Sequence, residues 1–451
     1  MQIIVRDKAF YRSLAALAVP ICLQNFLTYG VAVADNVMVG QLGERALGGL
    51  YVGVVIHTVL MHIIFGVTQS AIVLATQYWG AGRLDPVRDI AAMCLRIALV
   101  IGGLFAVTSV AWPAWVAGLV TNEPDAMAEG AVYLRIVGAS YILFAASQIL
   151  LTMLRTVEIV IIGVIDAVTA LALNIGLNWI LIYGHLGAPA LGVGGAAYAT
   201  LFARAFELLL IGFYLFRIDR RLEMRPKDLF RRNARLMKDL AKYGTPIMLG
   251  QMVWAINVFG RGYFIGRMSQ ASIAAASIAE TVDGLLWMFP LGIALACGIL
   301  TGKTIGEGRL EDMKVQARTM QLVFLAIGIA TALSLAAVAP RIPGLYGLSP
   351  EALPAASAFL AVVIFTSAGR CYQAPSLMGL VKAGGDTSFV FLNDTFWVFC
   401  WILPGAWLLQ RVVHAPDWAV YAILLSDQVT KCFVAVVKIN RFKWMKRLVA
   451  H

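Results

Sequence analysis

The residues of this 451-residue chain that could do chemistry are polar residues inside long apolar runs, where each one costs free energy. Asp35 lies in the first such run. Asn174 and Asn178 lie four residues apart in a later run, so they share one face of a helix. A carboxylate and amide oxygens at one depth can coordinate Na⁺, and a buried carboxyl can instead take up and release a proton. These three residues predict a site for an inorganic cation.

Further polar side chains are expected at outer-to-middle depth in the same half of the chain. Helical residues rise by about 1.5 Å each, which puts Thr200, Tyr141 and Gln24 nearer the middle of their runs. Two alternatives stay open: Asp35 faces outside water, or the two asparagines only link helices by hydrogen bonds. The predicted cation and substrate site comprises Asp35, Asn174, Asn178, Thr200, Tyr141 and Gln24.

The second half of the chain carries a different set of charges in its apolar runs. Glu280 and Asp283 are three residues apart on one helical face and can pair with Arg261. We keep these three as secondary binding candidates, although such groupings are more often structural ion pairs. Asp427 and Lys431, four residues apart, can neutralise each other, and so can Arg204 and Glu207, three apart. Asp166 and Asp394, at related positions of the two halves, are expected to dock inside loops or to line the inner gate.

The elements that must hold these residues are membrane-spanning helices. Hydrophobic residues make up 60% of the chain and charged residues 14%, whereas a soluble domain carries about 25% charged residues. This composition excludes secreted, cytosolic, coiled-coil and disordered proteins. A span needs roughly 20 apolar residues. We predict twelve spans, at 13–39, 51–77, 91–117, 131–153, 158–183, 191–216, 243–265, 277–301, 317–340, 355–380, 387–410 and 418–438.

The basic residues predict the orientation of these spans. With the N-terminus inside, 26 of the 36 Lys and Arg residues lie on inside segments and 4 on outside connectors. This asymmetry indicates that both termini lie in the cytoplasm, and we expect the inner membrane of a prokaryotic cell. The net charge of +11 therefore belongs to cytoplasmic loops, and we expect no nucleic-acid partner.

An internal repeat relates the two halves of the chain. A shift of 226 residues aligns Pro20 with Pro246 and places GAGRL at 80–84 on GEGRL at 306–310. Six spans are an even number, so the repeats run parallel and are related by a pseudo-two-fold axis along the membrane normal. The predicted parts are an N-terminal six-helix lobe (1–216), a cytoplasmic basic linker (217–242) and a C-terminal six-helix lobe (243–451).

Two like lobes about a central axis favour a secondary transporter that alternates access by rocking one lobe against the other. The chain has no GxxxxGK[ST], HExxH or GxSxG motif, so we expect neither ATP-driven transport nor an enzyme, and no cofactor besides the coupling ion. Its six cysteines lie in apolar runs without CxxC spacing and are interpreted as core residues.

The chain resembles the multidrug and toxic compound extrusion (MATE) transporters in four segments: LAVPICLQNFLTYGVAVADNVMVGQLG, ATQYWGAGRLD, LNIGLNWILIYG and LGVGGAAYAT. The resemblance implies two six-helix lobes around a V-shaped cavity and cation-coupled export of organic, often cationic compounds. It also implies that Asp35 is the family's first-span carboxylate and that Asn174, Asn178, Thr200 and Tyr141 match its other polar positions. Some members carry Asp where Asn178 stands, so the site here has less charge.

We therefore predict a secondary active antiporter that exports organic compounds, drugs included, in exchange for H⁺ or Na⁺. If Na⁺ is the coupling ion, Asp35, Asn174 and Asn178 are its expected ligands. The expected partners are a small organic substrate and membrane lipid, and we expect a monomer. The alternative is a lipid-linked oligosaccharide flippase of the same wider superfamily, which Arg261 and Arg370 keep open because anionic headgroups require bases. A membrane enzyme or a receptor has no catalytic constellation in its favour.

Overall fold

Apolar helices make up the architecture of the computed structural model, which describes residues 4–345 and 352–449. Within those residues there are helices and turns but no strands, and ten helices are long and apolar enough to cross a membrane. A bent pair of helices raises that number to eleven. The remaining long helix, Ala234–Ile265, is less apolar because it carries Gln251, Asn257 and Arg261. The predicted all-α membrane class is confirmed.

Eight helices form the first half of the described chain. They follow from runs of apolar residues in which every backbone group must be paired inside the helix when lipid surrounds it. The helices are α1 (Lys8–Gly40), α2 (Glu44–Gly80), α3 (Leu84–Ala111), α4 (Pro113–Gly118), α5 (Pro124–Val137), α6 (Ser140–Thr156), α7 (Ile161–Tyr183) and α8 (Val193–Phe213).

The second half, within the described residues, also has eight helices. Two π-helical segments interrupt it, Pro375–Lys382 after α12 and Trp397–Ile402 between α13 and α14. Each lies at a proline, Pro375 or Pro404, whose ring removes a backbone hydrogen bond. The helices are α9 (Ala234–Ile265), α10 (Gln270–Gly306), α11 (Leu310–Val338), α12 (Ala352–Ala374), α13 (Thr387–Phe396), α14 (Leu403–Arg411), α15 (Asp417–Leu425) and α16 (Asp427–Asn440).

Two predicted spans differ from the helices observed. The third span was expected to continue to residue 117, but α3 ends at Ala111 because Pro113 begins a separate short helix. The fourth span was expected as one helix over 131–153 and is instead the bent pair α5 and α6, which meet at 54°. Gly138 lies at this bend, where a Cβ would come within 2.9 Å of the Ser109 Cβ.

The internal repeat is visible in the helix bounds. Helices α2 and α10 each have 37 residues, and both their first and their last residues are separated by 226 positions. Helices α3 and α11 begin at Leu84 and Leu310, at the same separation. The two halves therefore share helix lengths and turns as well as sequence.

The chain divides into two compact units. One is Leu23–Gly244, and the other combines Met1–Cys22 with Thr245–His451. The predicted linker belongs to the first unit, where Arg231 forms ion pairs with Asp85 at 3.0 Å and with Asp89 at 2.7 Å. Asp85 and Asp89 lie in the first turns of α3, so these ion pairs fasten the basic segment to that helix.

Gly195 sets the distance between α7 and α8, which pack against each other and carry the predicted asparagines and Thr200. A Cβ at Gly195 would collide with the backbone carbonyl of Leu181. Because this neighbour is backbone, it cannot move aside as the end of a side chain can. A glycine at this position therefore fixes the approach of the two helices.

We expect Gly195→Ala to destabilise the protein by about 1–3 kcal/mol, the usual cost of overpacking a tight contact. The measurement is the thermal unfolding midpoint of the purified protein in detergent. Gly212→Ala is the matched control, because it lies in the same helix and its added methyl meets no atom within 4 Å among the described residues. Equal midpoints for the two variants would contradict this account of the packing.

Candidate functional site

The predicted cation-site residues of α1 and α7 come together around Asp35. The Asp35 carboxylate is buried and accepts a hydrogen bond from Asn178 Nδ2 at 2.6 Å. The same nitrogen donates to Asn174 Oδ1 at 3.1 Å. Both asparagines are completely buried, and the side chain of Asn174 also lies within reach of the carboxylate. A charged group and two amides thus form one hydrogen-bonded cluster, which we call the Asp35 cluster.

The ends of α1 and α7 hold this cluster in register. The Tyr183 hydroxyl, in the last turn of α7, donates to the Met38 carbonyl of α1 at 2.8 Å. Asp35 lies three residues before Met38 in α1, and Asn178 lies five residues before Tyr183 in α7, so this contact joins the two helices within about two turns of the cluster. Gly184 ends α7 in a left-handed conformation with φ 77, which a glycine adopts at low cost. The sequence therefore fixes where α7 stops and which face of it meets α1.

One buried acceptor in the cluster is unsatisfied. Asn178 Oδ1 has no hydrogen-bond partner among the described residues. A buried polar atom without a partner costs free energy, and the site gains if a proton or a cation reaches it. If Asp35 gains a proton or a cation, Asn178 is the residue that can exchange hydrogen bonds with it, because the nitrogen of its amide already contacts the carboxylate.

Tyr133 of α5 belongs to this region and was missed by the sequence analysis. It is buried, and its hydroxyl lies beside the Thr200 hydroxyl and within electrostatic range of Asp35. Gly53 of α2 leaves space for its ring, because a Cβ there would collide with it. The sequence does show that Tyr133 lies in the same apolar run as Tyr141, which could have made it a candidate. Spacing alone, however, does not distinguish a buried tyrosine from one at the membrane surface.

Tyr141 and Gln24 lie apart from the asparagines. Tyr141 is fully buried in α6, with its ring stacked on His57 at 6.1 Å between centroids. Gln24 is buried and accepts a hydrogen bond from Arg155 Nη2 at 2.5 Å. Eleven residues of helix, roughly 16 Å, separate Gln24 from Asp35 along α1. The structure therefore brings Thr200 near the Asp35 cluster through Tyr133 and places Gln24 with Arg155.

A second polar cluster occupies the interior of the same unit. The predicted pair of Arg204 and Glu207 is confirmed, with 2.6 Å between Nη1 and Oε2. Ser147 also donates to Glu207, at 2.8 Å. Asp166 is buried as well. The interior of this unit therefore carries several charged residues besides Asp35.

The other unit contains a network of ion pairs in its membrane helices. Arg261 contacts Glu280, and the Tyr421 hydroxyl donates to Glu280 at 3.1 Å. Asp283 lies 3.8 Å from Arg261 but is held more closely by Arg370, at 2.6 and 2.7 Å. The predicted pairing of Glu280 and Asp283 with Arg261 is confirmed, and Arg370 is the partner that the sequence analysis missed. The sequence feature that could have indicated this pairing is that Arg370 lies in an apolar run with no acidic residue nearby in sequence, so it needs a partner from another helix.

Lys431 of α16 joins two acids. It lies 2.9 Å from Asp427, as predicted, and also 2.9 Å from Asp394 of α13. Asp394 was expected to dock an inside loop or to line a gate. In the structure it forms an ion pair with Lys431 that links α13 to α16. The sequence did not predict this pair because the two residues lie in different apolar runs.

Two halves related by the 226-residue repeat, with buried acids, amides and arginines in their long apolar helices, are typical of a polytopic transport protein of the helical type. The sequence profile of the MatE family matches residues 20–180 and 246–396, and the two matched segments begin at the repeat pair Pro20 and Pro246. The chain therefore belongs to the MATE family of transporters.

Relatives and solved structures agree with this assignment. The chain is 25% identical over 405 residues to the multidrug resistance protein MdtK of Photorhabdus laumondii subsp. laumondii, covering 88% of this chain and 87% of that protein. It is 26% identical to the multidrug resistance protein NorM of Vibrio vulnificus, covering 92% and 90%. A solved structure of a MOP superfamily transporter from Pyrococcus furiosus matches with a TM-score of 0.86 and 18% identity, over 96% of this chain and 97% of that chain. The likeness shows the fold, twelve spans in two lobes.

Proposed function

We propose that this protein is a secondary active antiporter of the inner membrane that exports organic compounds, cationic or amphipathic and including drugs, in exchange for H⁺ or Na⁺. The observation that carries the proposal is the buried carboxylate of Asp35, held by Asn178 in a chain of the MATE family. The relatives MdtK and NorM are named as multidrug resistance proteins, which supports an organic cargo.

The coupling ion acts on the hydrogen bond between Asp35 and Asn178. An ionised carboxylate only accepts hydrogen bonds, and it receives one from Asn178 Nδ2. A protonated carboxyl also donates, and Asn178 Oδ1, which has no partner among the described residues, can accept that proton once the amide turns over. Na⁺ would use the same oxygen together with the carboxylate. The two ion states therefore stabilise two discrete arrangements of α1 against α7.

Transport follows if cargo and coupling ion favour different states. A ligand shifts a conformational equilibrium only by the difference in its affinity for the two states. The ion must therefore bind best to the state that releases cargo to the outside. The cytoplasmic position of both termini, the lobe and linker boundaries and the monomeric state stay predictions from the sequence.

The flippase alternative requires free bases for an anionic headgroup, and the structure does not favour it. Arg261 contacts Glu280, and Arg370 makes two contacts with Asp283. Both arginines that kept this alternative open therefore already have carboxylate partners within their own unit.

The test is efflux of a fluorescent organic cation, such as ethidium, from proteoliposomes in which pH and Na⁺ gradients are imposed separately. We expect uphill movement of the dye with one inwardly directed cation gradient and none when that gradient is collapsed. Flux of equal rate with every ion gradient collapsed would rule out the antiport mechanism. Flux of lipid-linked oligosaccharide with no dye flux would favour the flippase.

A further inference from the structure

An open groove of about 470 Å³ is lined by α13, α16 and the residues that follow α16. All of it belongs to the unit that contains the C-terminal half of the chain, and none of its lining residues takes part in the ion pairs of Arg261 and Arg370. Its lining includes Phe389, Phe433, Val437, Lys438, Arg441 and Lys443.

The groove changes from apolar to basic along the axis of α16. Phe433, Val437 and Arg441 are spaced by four residues, so they lie on one face of the helix. The side chains of Phe433 and Val437 are 71% and 52% exposed, which is expected where hydrocarbon covers them. Arg441 lies eight residues beyond Phe433, about 12 Å further along the axis. The groove is therefore apolar toward the start of α16 and basic at its end.

The charge at the basic end is not cancelled. Asp386 is the acid there, and it accepts hydrogen bonds from Lys438 at 2.6 Å and Lys446 at 2.7 Å. Burial acts to raise the pKa of Asp386, but the two lysines outweigh this effect and hold its pKa below the ordinary value, so it stays ionised. Arg441 and Lys443 are exposed, and both line the groove. The described lining of the groove contains three bases, Lys438, Arg441 and Lys443, of which only Lys438 is paired with Asp386, so the groove is positively charged.

We propose that this groove binds an anionic phospholipid such as phosphatidylglycerol, with its phosphate between Arg441 and Lys443 and an acyl chain along Phe433 and Val437. A guanidinium matches the oxygens of a phosphate, and basic pockets beside membrane helices are suited to anionic headgroups. A free phosphate would use the bases but would leave the exposed apolar wall without a role. The proposal does not depend on the transported substrate or the coupling ion.

The experiment is native mass spectrometry of the purified full chain, with phosphatidylglycerol and phosphatidylcholine of the same acyl chains added as probes. We expect phosphatidylglycerol to be retained in preference. In the double variant Arg441→Gln with Lys443→Gln, its retention should fall roughly thirtyfold, since each base near a membrane surface contributes about 1 kcal/mol and about 1.4 kcal/mol corresponds to a factor of ten. The matched control is Arg232→Gln with Arg235→Gln, which removes the same charge from exposed positions of the other unit. That control should retain the lipid.

Two further arms distinguish a lipid from a free anion. Phe433→Ala should lower retention of phosphatidylglycerol severalfold, and inorganic phosphate should not displace the lipid. If the Arg441 and Lys443 double variant retains the lipid as the unaltered protein does, or if phosphatidylcholine binds equally well, the proposal is overturned. It is also overturned if phosphate displaces the lipid while Phe433→Ala has no effect. Equal thermal midpoints for all variants establish that each has folded.

Discussion

Replacing Asp35 with asparagine is expected to abolish cation-coupled efflux while leaving the protein folded. The variant keeps an oxygen that can accept the hydrogen bond from Asn178 Nδ2, so the contact between α1 and α7 persists. It loses the negative charge that attracts H⁺ or Na⁺ and, in the proposed mechanism, the step at which the ion gradient drives transport. A buried charge carries a desolvation cost, so we also expect thermal stability equal to or higher than that of the unaltered protein.

The measurement for Asp35→Asn is dye efflux from proteoliposomes under the imposed cation gradient, together with the thermal midpoint in detergent. Efflux should fall to the level of vesicles without protein. Asp427→Asn is the control, because it removes another buried carboxylate while Lys431 keeps Asp394 as its partner, and it should transport normally. Gradient-driven efflux by Asp35→Asn at the rate of the unaltered protein would remove Asp35 from the coupling mechanism.

The Asp35 position also shows that the two halves of the chain carry different charges at corresponding positions of the repeat. Across the repeat of 226 residues, Asp35 corresponds to Arg261. Asp35 accepts a hydrogen bond from a neutral amide, which under the proposed function leaves it free to exchange an ion, whereas Arg261 contacts Glu280 and lies near Asp283. A charge surrounded by amides can change its occupancy at low cost. A charge already paired with a carboxylate stabilises one arrangement of its helices.

Much of the fold was predictable from the sequence because a lipid environment excludes backbone conformations that leave hydrogen-bonding groups unpaired. A run of apolar residues in hydrocarbon must pair its own backbone groups, so composition and length determine that each span is a helix. The shift of 226 residues likewise predicted the equal lengths of α2 and α10. The bend between α5 and α6 was not predictable, because glycines such as Gly138 also occur in straight membrane helices and the sequence does not show that Ser109 packs against this one.

The site was predictable to the extent that its residues share a helix face. Spacing brought Asn174 and Asn178 together, and depth placed them near Asp35. Gln24 lies on nearly the same face of α1 as Asp35 but roughly 16 Å away along the helix axis, and at that depth it meets Arg155 instead. The pair of Arg370 and Asp283 was missed because it joins two helices whose relative rotation the sequence does not give.

Removing the charge of Arg370 is expected to give the largest loss of stability in the second unit. Arg370 makes two contacts with the Asp283 carboxylate, at 2.6 and 2.7 Å, and donates to the Asp283 backbone carbonyl at 3.2 Å. Both side chains are buried. Arg370→Met would leave a buried carboxylate with only the more distant Arg261, at 3.8 Å. Breaking a buried ion pair on one side costs about 3–5 kcal/mol, and Arg261 should keep the loss near the lower end of that range.

Thermal unfolding in detergent and dye affinity together distinguish a structural role of Arg370 from a role in binding cargo. We expect the midpoint to fall sharply for Arg370→Met and to recover in the double variant Arg370→Met with Asp283→Asn, because a neutral pair no longer buries an uncompensated charge. Since Glu280 and Arg261 keep their contact in that double variant, its dye affinity should be close to that of the unaltered protein. An unchanged midpoint for Arg370→Met with a large loss of dye affinity would instead make Arg370 a cargo-binding residue, and the second unit would then hold a binding site of its own.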